Sequence, residues 1–113
     1  MPQTPLSPFI EKNGLIFLSG QIHLDSDGQL LQADPATQTK QVLENLGRVL
    51  DQAELSFANV VKVTIYLTDM SIYGVVNEVY TTYFQEPFPA REVVGVQSLP
   101  LGASVEISAI AAR

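Results

Sequence analysis

Hydrophobic and polar positions change period several times along this 113-residue chain, and each change marks an element. Phe9-Ile10-Glu11-Lys12 and Leu15-Ile16-Phe17-Leu18 flank Asn13-Gly14. An Asn-Gly pair between apolar runs signals a hairpin, because both turn residues must take positive φ; strands are expected at about 7–12 and 15–22. Asp25 to Gly28 reads as a second turn, with a short strand at Gln29 to Gln32. Asp34-Pro35 opens a helix: the aspartate caps free amides and proline suits the first helical position. Val42, Leu46, Val49 and Leu50 recur at helical spacing with Leu43 beside them, and the helix should end near Ala53. Val60 to Leu67 is β-branched and partly alternating, which predicts a strand. Asp69 or Ser71 can cap a second helix with Ile72, Val75, Val76, Val79, Tyr80 and Tyr83 on its apolar face, closed by Pro87 and Pro89. Arg91 to Gln97 and Ala103 to Ala111 read as the last two strands.

The order β-β-β-α-β-α-β-β predicts an α+β fold, a mixed six-stranded sheet with two helices on one face. No linker, repeat or low-complexity stretch divides the chain, so residues 1–113 are expected to form one domain. The second sheet face then has no helix to cover it. Composition sharpens that point. Charged residues are 16% of the chain, against about 25% for an average soluble domain. Mean hydropathy is +0.17. A small protein this apolar is expected to cover its bare face with a partner, most simply a copy of itself.

Twelve acidic and six basic residues give a net charge of −6, and the bases (Lys12, Lys40, Arg48, Lys62, Arg91, Arg113) form no run. Nucleic-acid binding draws its affinity from clustered bases, so this balance argues against it. Cysteine is absent, which excludes disulfides, iron–sulfur clusters, thiolate zinc sites and a cysteine nucleophile. One histidine, His23, leaves no multi-histidine metal site within a chain. The N-terminal segment has no basic stretch followed by an apolar run, and no apolar stretch nears the roughly 20 residues of a membrane span. A soluble, cytoplasmic protein is expected.

Few residues offer chemistry. Arg91 follows Pro89-Ala90, where a planar guanidinium fork could hold a carboxylate; it could equally be a solvated surface arginine. Glu106 interrupts the apolar run Val105-Glu106-Ile107 and points away from both neighbours, toward the face of Ser104 and Ser108. A carboxylate beside buried surface can serve as a general base, or be an ordinary polar-face residue. Ser19-Gly20 ends a strand, which allows close approach of a ligand or marks a bulge. Asn77 lies on the second helix, either solvated or aimed at a site. His23 reads as solvated, and Tyr66, Tyr73, Tyr80 and Tyr83 read as packing or interface residues. No phosphate loop, dinucleotide fingerprint or serine-hydrolase elbow is present.

Taken in order, Phe17-Leu18-Ser19-Gly20-Gln21-Ile22, Glu44-Asn45-Leu46, Val60-Val61-Lys62-Val63-Thr64, Val76-Asn77-Glu78-Val79-Tyr80-Thr81-Thr82-Tyr83-Phe84, Pro89-Ala90-Arg91 and Leu99-Pro100-Leu101-Gly102-Ala103-Ser104-Val105-Glu106-Ile107 resemble the RidA/YjgF family of reactive intermediate deaminases. The resemblance runs from Ser7 to Ala111. It implies a chorismate mutase-like fold and a homotrimer with sites at the subunit seams. It also implies hydrolysis of short-lived enamines and imines, such as 2-aminoacrylate, 2-iminopropanoate and 2-iminobutanoate, to 2-keto acids and ammonia, with no metal or organic cofactor. Such compounds are released by dehydratases and other pyridoxal-phosphate enzymes. By position, the carboxylate-binding arginine of the family falls on Arg91, its water-activating glutamate on Glu106, its motif serine on Ser19 and its site-lining asparagine on Asn77.

The chain also departs from the pattern. Phe9 stands where the archetypal deaminases have a tyrosine, and Val93 where they have a cysteine. Glu92 and Gln97 are unusual too, and Glu92 should point to the face opposite Arg91. The pocket is therefore less polar than the archetype's. That change leaves open a non-catalytic trimer that binds small carboxylates as a sensor or regulator. An endoribonuclease that inhibits translation, an activity also found in the family, is opposed by the charge and the lone histidine.

Overall fold

Five strands make one mixed sheet in the computed structural model, which describes residues 4–113; Met1 to Gln3 of the N-terminal segment lie outside the described residues. Strands β1 (Phe9–Lys12) and β2 (Leu15–Gln21) form the expected hairpin, with Lys12 opposite Leu15. Asn13 and Gly14 turn it at φ 53° and 80°. Helix α1 (Pro35–Gln52) follows, then β3 (Val60–Leu67), α2 (Tyr73–Tyr80), β4 (Ala90–Gly95) and β5 (Val105–Ala112). The sheet order is β1-β2-β5-β3-β4. Only β3 and β4 are parallel, because α2 provides the crossover that a parallel pair needs.

The expected sixth strand at 29–32 is corrected by the structure. Leu24 and Leu30 make one isolated antiparallel bridge and no ladder. The backbone here is satisfied partly across its own turn, with Leu31 N donating to His23 O and Asp25 N to Gln29 O, both at 2.8 Å, and partly by side chains. Asn45 donates to the carbonyls of Ile22 and Leu24, both at 2.9 Å, and Gln38 donates to that of Leu31 at 3.1 Å. Pairing with a strand of the main sheet is thus unnecessary.

Helix α1 begins as expected, with Asp34 accepting from the amide of Thr37 and Pro35 in the first turn. Helix α2 is shorter than expected. Asp69 caps a 3₁₀ turn at Met70–Ile72, by accepting from Ser71 N at 2.9 Å, and not the helix itself. The helix stops at Tyr80, well before Pro87. The hydroxyls of Thr81 and Thr82 donate to the last-turn carbonyls of Glu78 and Val79 at 2.8 and 2.6 Å, which ends it locally.

Both helices cover one sheet face. Ile16, Leu18, Val63, Ile65, Leu67, Val105 and Ile107 meet Val42, Leu43, Leu46, Leu50, Val76 and Tyr80 there. The opposite face is open, as the composition implied. Phe17 is 43% exposed, and Ile10, Leu15 and Val94 are exposed on the same face. Glu92 also lies on this face, away from Arg91, and pairs with Lys62 at 2.8 Å. No helix among the described residues is long and apolar enough to cross a membrane.

His23 is not solvated. It is 1% exposed, and both ring nitrogens are engaged. Ser104 N donates to Nε2 at 3.0 Å, so the ring proton sits on Nδ1 and is donated to Leu31 O at 3.0 Å. Ser104 Oγ in turn donates to Gln38 at 2.7 Å. One buried network thus ties the 22–34 segment, α1 and the entry to β5. Protonation of Nε2 would break the Ser104 bond. Burial lowers the His23 pKa below its usual 6.5. The unfolded chain therefore binds this proton at a higher pH than the native one. The stabilisation from neutral His23 is full above pH 6.5 and fades as pH falls beneath it.

The urea midpoint should accordingly drop when pH is lowered from about 7.5 to about 5. His23→Gln should cost about 1–3 kcal/mol at the higher pH and flatten that dependence. An equally steep slope in the variant would show that other groups cause it.

Candidate functional site

Arg91 is the second residue of β4 and sits beside Val63 of β3. Paired strand neighbours share a face, so its side chain runs toward the helices. Tyr73, Asn77 and Tyr80 wait for it on α2. Their spacing of four and three residues puts them on one stripe of the helix. Arg91 Nη1 donates to Asn77 Oδ1 at 2.7 Å, and Nη2 donates to the Tyr73 hydroxyl at 3.2 Å. The guanidinium carbon lies 4.9 Å from the Tyr80 ring centroid and 5.8 Å from that of Tyr73, within cation–π range. A guanidinium has five N–H donors. Two are used here, and the other three have no acceptor among the described residues. A half-buried, pre-aimed cation with free donors has the chemistry to accept a carboxylate. Val93 lies two residues on, on the same face, against the core.

Glu106 occupies the other side of the sheet. It lies on β5 opposite Tyr66 of β3, while its neighbours Val105 and Ile107 are fully buried under the helices. Its carboxylate reaches over Gly20 at the end of β2. A Cβ on Gly20 would stand 2.3 Å from Glu106 Oε2, so only glycine leaves the carboxylate this seat. Among the described residues the carboxylate has no hydrogen-bond partner. Partial burial raises its pKa above the usual 4.5. Burial without a nearby cation is the condition that makes a glutamate a better proton acceptor.

The remaining candidates divide between these two groups. Ser19 is beside Gly20, and its hydroxyl donates to Ser7 O at 2.6 Å, tying down the N-terminal segment. Phe9 lies on β1, opposite Leu18 and partly packed on the core. Strands β1 and β4 are opposite edges of the sheet. So Ser19, Gly20 and Glu106 lie together at the end of β2, and Arg91, Asn77 and Val93 form another group, while Phe9, paired with the buried Leu18, turns toward the helix side of the β1 edge. Two strand spacings of about 4.8 Å separate β5 from β4, and the two key side chains leave by opposite faces. One chain does not bring Arg91 and Glu106 together. From sequence Tyr73 and Tyr80 read as packing or interface residues, although their spacing from Asn77 places them on its helix stripe beside Arg91. No three carboxylate or imidazole side chains converge as metal ligands among the described residues.

The family model described as Endoribonuclease L-PSP matches residues 1–113. A mouse protein named 2-iminobutanoate/2-iminopropanoate deaminase is 46% identical over 110 residues, which span 96% of this chain and 82% of that protein. Among solved structures, YEO7 of yeast superposes with a TM-score of 0.95 at 40% identity, covering 100% of this chain and 90% of that one. RidA from an Antarctic Psychrobacter superposes with a TM-score of 0.93 at 33% identity, covering 100% of this chain and 92% of that one.

The seat of Glu106 can be tested without an assay of activity. In Gly20→Ala the new methyl group displaces the carboxylate, a flexible chain end, toward solvent. The Glu106 pKa followed by NMR should fall toward 4.5, and stability should change by less than about 1 kcal/mol. A pKa that stays raised would show that the seat over Gly20 does not govern it.

Proposed function

The chain belongs to the Endoribonuclease L-PSP family, the RidA/YjgF grouping that its motifs resemble, and we propose that it hydrolyses enamine and imine derivatives of small 2-amino acids to 2-keto acids and ammonia. The observation that carries this reading is the Arg91 receptor. Three free donors on a guanidinium already oriented by Asn77 and Tyr73 suit the carboxylate that every such substrate carries. The mammalian relatives named as deaminases extend the same reading.

The chemistry asks little of the protein. Protonated at nitrogen, the imine carbon is electrophilic. Arg91 holds the carboxylate, and a water beside Glu106 gives up a proton to the carboxylate as its oxygen bonds to that carbon. Glu106 passes that proton on to nitrogen, the C–N bond breaks to release ammonia, and the hydroxyl returns its proton to Glu106 as the carbonyl forms. One water is consumed and one nitrogen released. An enamine enters the same route after protonation at its terminal carbon. Fixed orientation plus one general base contributes about 10²–10⁴-fold, enough for an already labile substrate.

Arg91 and Glu106 work on one substrate only if different copies contribute them. We therefore read the site as a seam between chains of a homotrimer in the cytoplasm, with Ser19, Phe9 and Glu106 from one copy facing Arg91, Asn77 and Val93 of the next. The open apolar sheet face supports this, since Phe17, Ile10, Leu15 and Val94 would otherwise meet water. The endoribonuclease reading gains no such support. The only imidazole is buried with both nitrogens bonded, and the net charge is −6.

Generating 2-iminopropanoate in the presence of semicarbazide tests the activity. The native protein should suppress semicarbazone formation, and Arg91→Ala should lose about 100-fold or more in kcat/KM. Because the Glu106 pKa is raised, the acid limb of kcat/KM should lie above pH 4.5, falling as pH drops through it, and should vanish in Glu106→Gln. Native-like binding of 2-keto acids with no acceleration of imine hydrolysis would instead establish the non-catalytic carboxylate binder.

Mixing tests the seam. When Arg91→Ala and Glu106→Gln chains, each reduced to residual activity alone, are refolded together in equal amounts, a seam drawing on two copies is intact about one time in four. Recovery near a quarter of native activity supports the shared site. No recovery would mean that both residues act within one chain.

A further inference from the structure

The Arg91 receptor includes a group that neither the motifs nor the family positions pointed to. The Tyr73 hydroxyl accepts from Arg91 Nη2 at 3.2 Å, and the residue is 39% exposed beside the guanidinium. A hydroxyl has one proton to donate and two lone pairs to accept with. Arginine only donates, so this contact uses a lone pair and leaves the phenolic proton free. That proton has no acceptor among the described residues. Any carboxylate that forks onto Arg91 through Nη2 comes within reach of the phenol. The other polar neighbour is differently placed: Asn77 turns its oxygen to Arg91, as facing an obligate donor requires. Tyr80 offers its ring face to the cation, and its buried hydroxyl has no partner. Tyr73 is therefore the one aromatic residue here whose proton is both free and accessible.

We propose that Tyr73 donates its phenolic hydrogen bond to the substrate carboxylate, as a third donor beside the Arg91 fork. Tyr73 is then a specificity residue that favours an anionic, planar carboxylate over an ester or amide. This assignment rests on the imine-hydrolysis reading for its substrate, but the contact can be tested by binding alone. The carboxylate keeps its charge throughout the reaction, so the bond is made equally in ground and transition states. It should act on KM and leave kcat unchanged.

Pyruvate serves as the probe, titrated by NMR against the native protein, Tyr73→Phe, Arg91→Ala and the double variant, with thermal midpoints checking that each is folded. Tyr73→Phe should weaken pyruvate binding about tenfold and raise KM for 2-iminopropanoate by a similar factor at unchanged kcat. In the Arg91→Ala background, Tyr73→Phe should weaken pyruvate further. If it adds nothing there, Tyr73 only props the arginine and the direct bond is overturned. A fall in kcat at constant KM also overturns it. A native protein that binds pyruvate in this Tyr73-dependent way but leaves the imine untouched would sink the deaminase reading and keep this contact. Imine hydrolysis unaffected by Tyr73→Phe would do the reverse.

Discussion

Side chains alternate across a β-sheet, and that constraint organises everything else in this protein. Val105 and Ile107 must face the helices to complete the core, so Glu106 between them must face the other way. Arg91 is paired with Val63 and must face the helices, so it meets Asn77 and Tyr73 on α2. The two groups best suited to handle a carboxylate and a proton are thereby sent to opposite faces by the same rule that builds the core. A shift of one residue in the register of β4 or β5 would move either residue to the wrong side and break the hydrophobic layer with it. Stability and chemistry depend on one alignment.

Each of the two groups is held by a different physical device. On the helix side, a cation is held by an amide oxygen, a hydroxyl and an aromatic face, and all three leave it partly open. Its charge remains available because nothing nearby neutralises it; the nearest acid along the strand, Glu92, is committed to Lys62 across the sheet. On the open side, a carboxylate is kept partly dry over a glycine, with no cation beside it. One arrangement preserves positive charge for binding, and the other makes negative charge costly enough to favour taking a proton. The His23 network lies next to the second arrangement, through Ser104 at the start of β5. Its role is to close the irregular 22–34 segment without a strand, which leaves the end of β2 free to carry Gly20.

Much of the fold was legible from the chain alone. The Asn13-Gly14 hairpin, the Asp34-capped helix, the β3 strand and the two final strands follow from local rules, because turn geometry, capping and apolar period act over a few residues. The bare apolar face and the opposed directions of Arg91 and Glu92 also follow from alternation alone. The misreadings share a cause. A sixth strand, a solvated His23 and a second helix running to Pro87 were each inferred from local composition. In the folded chain Asn45 and Ser104 reach that segment from far along the sequence, Gln38 joins them from the first turn of α1, and threonine hydroxyls end the second helix early.

The candidate site divides along the same line. Residue type and motif order, read from the sequence, picked out Arg91, Glu106, Ser19 and Asn77 as the groups able to bind a carboxylate or move a proton. Only the tertiary structure decided that Asn77 and Tyr73 hold Arg91 while Glu106 rests over Gly20 on the other face. Chemical capacity belongs to each side chain and is carried by its identity. Proximity depends on strand order and pairing, β1-β2-β5-β3-β4, which is settled by which apolar faces can be buried together across the whole chain.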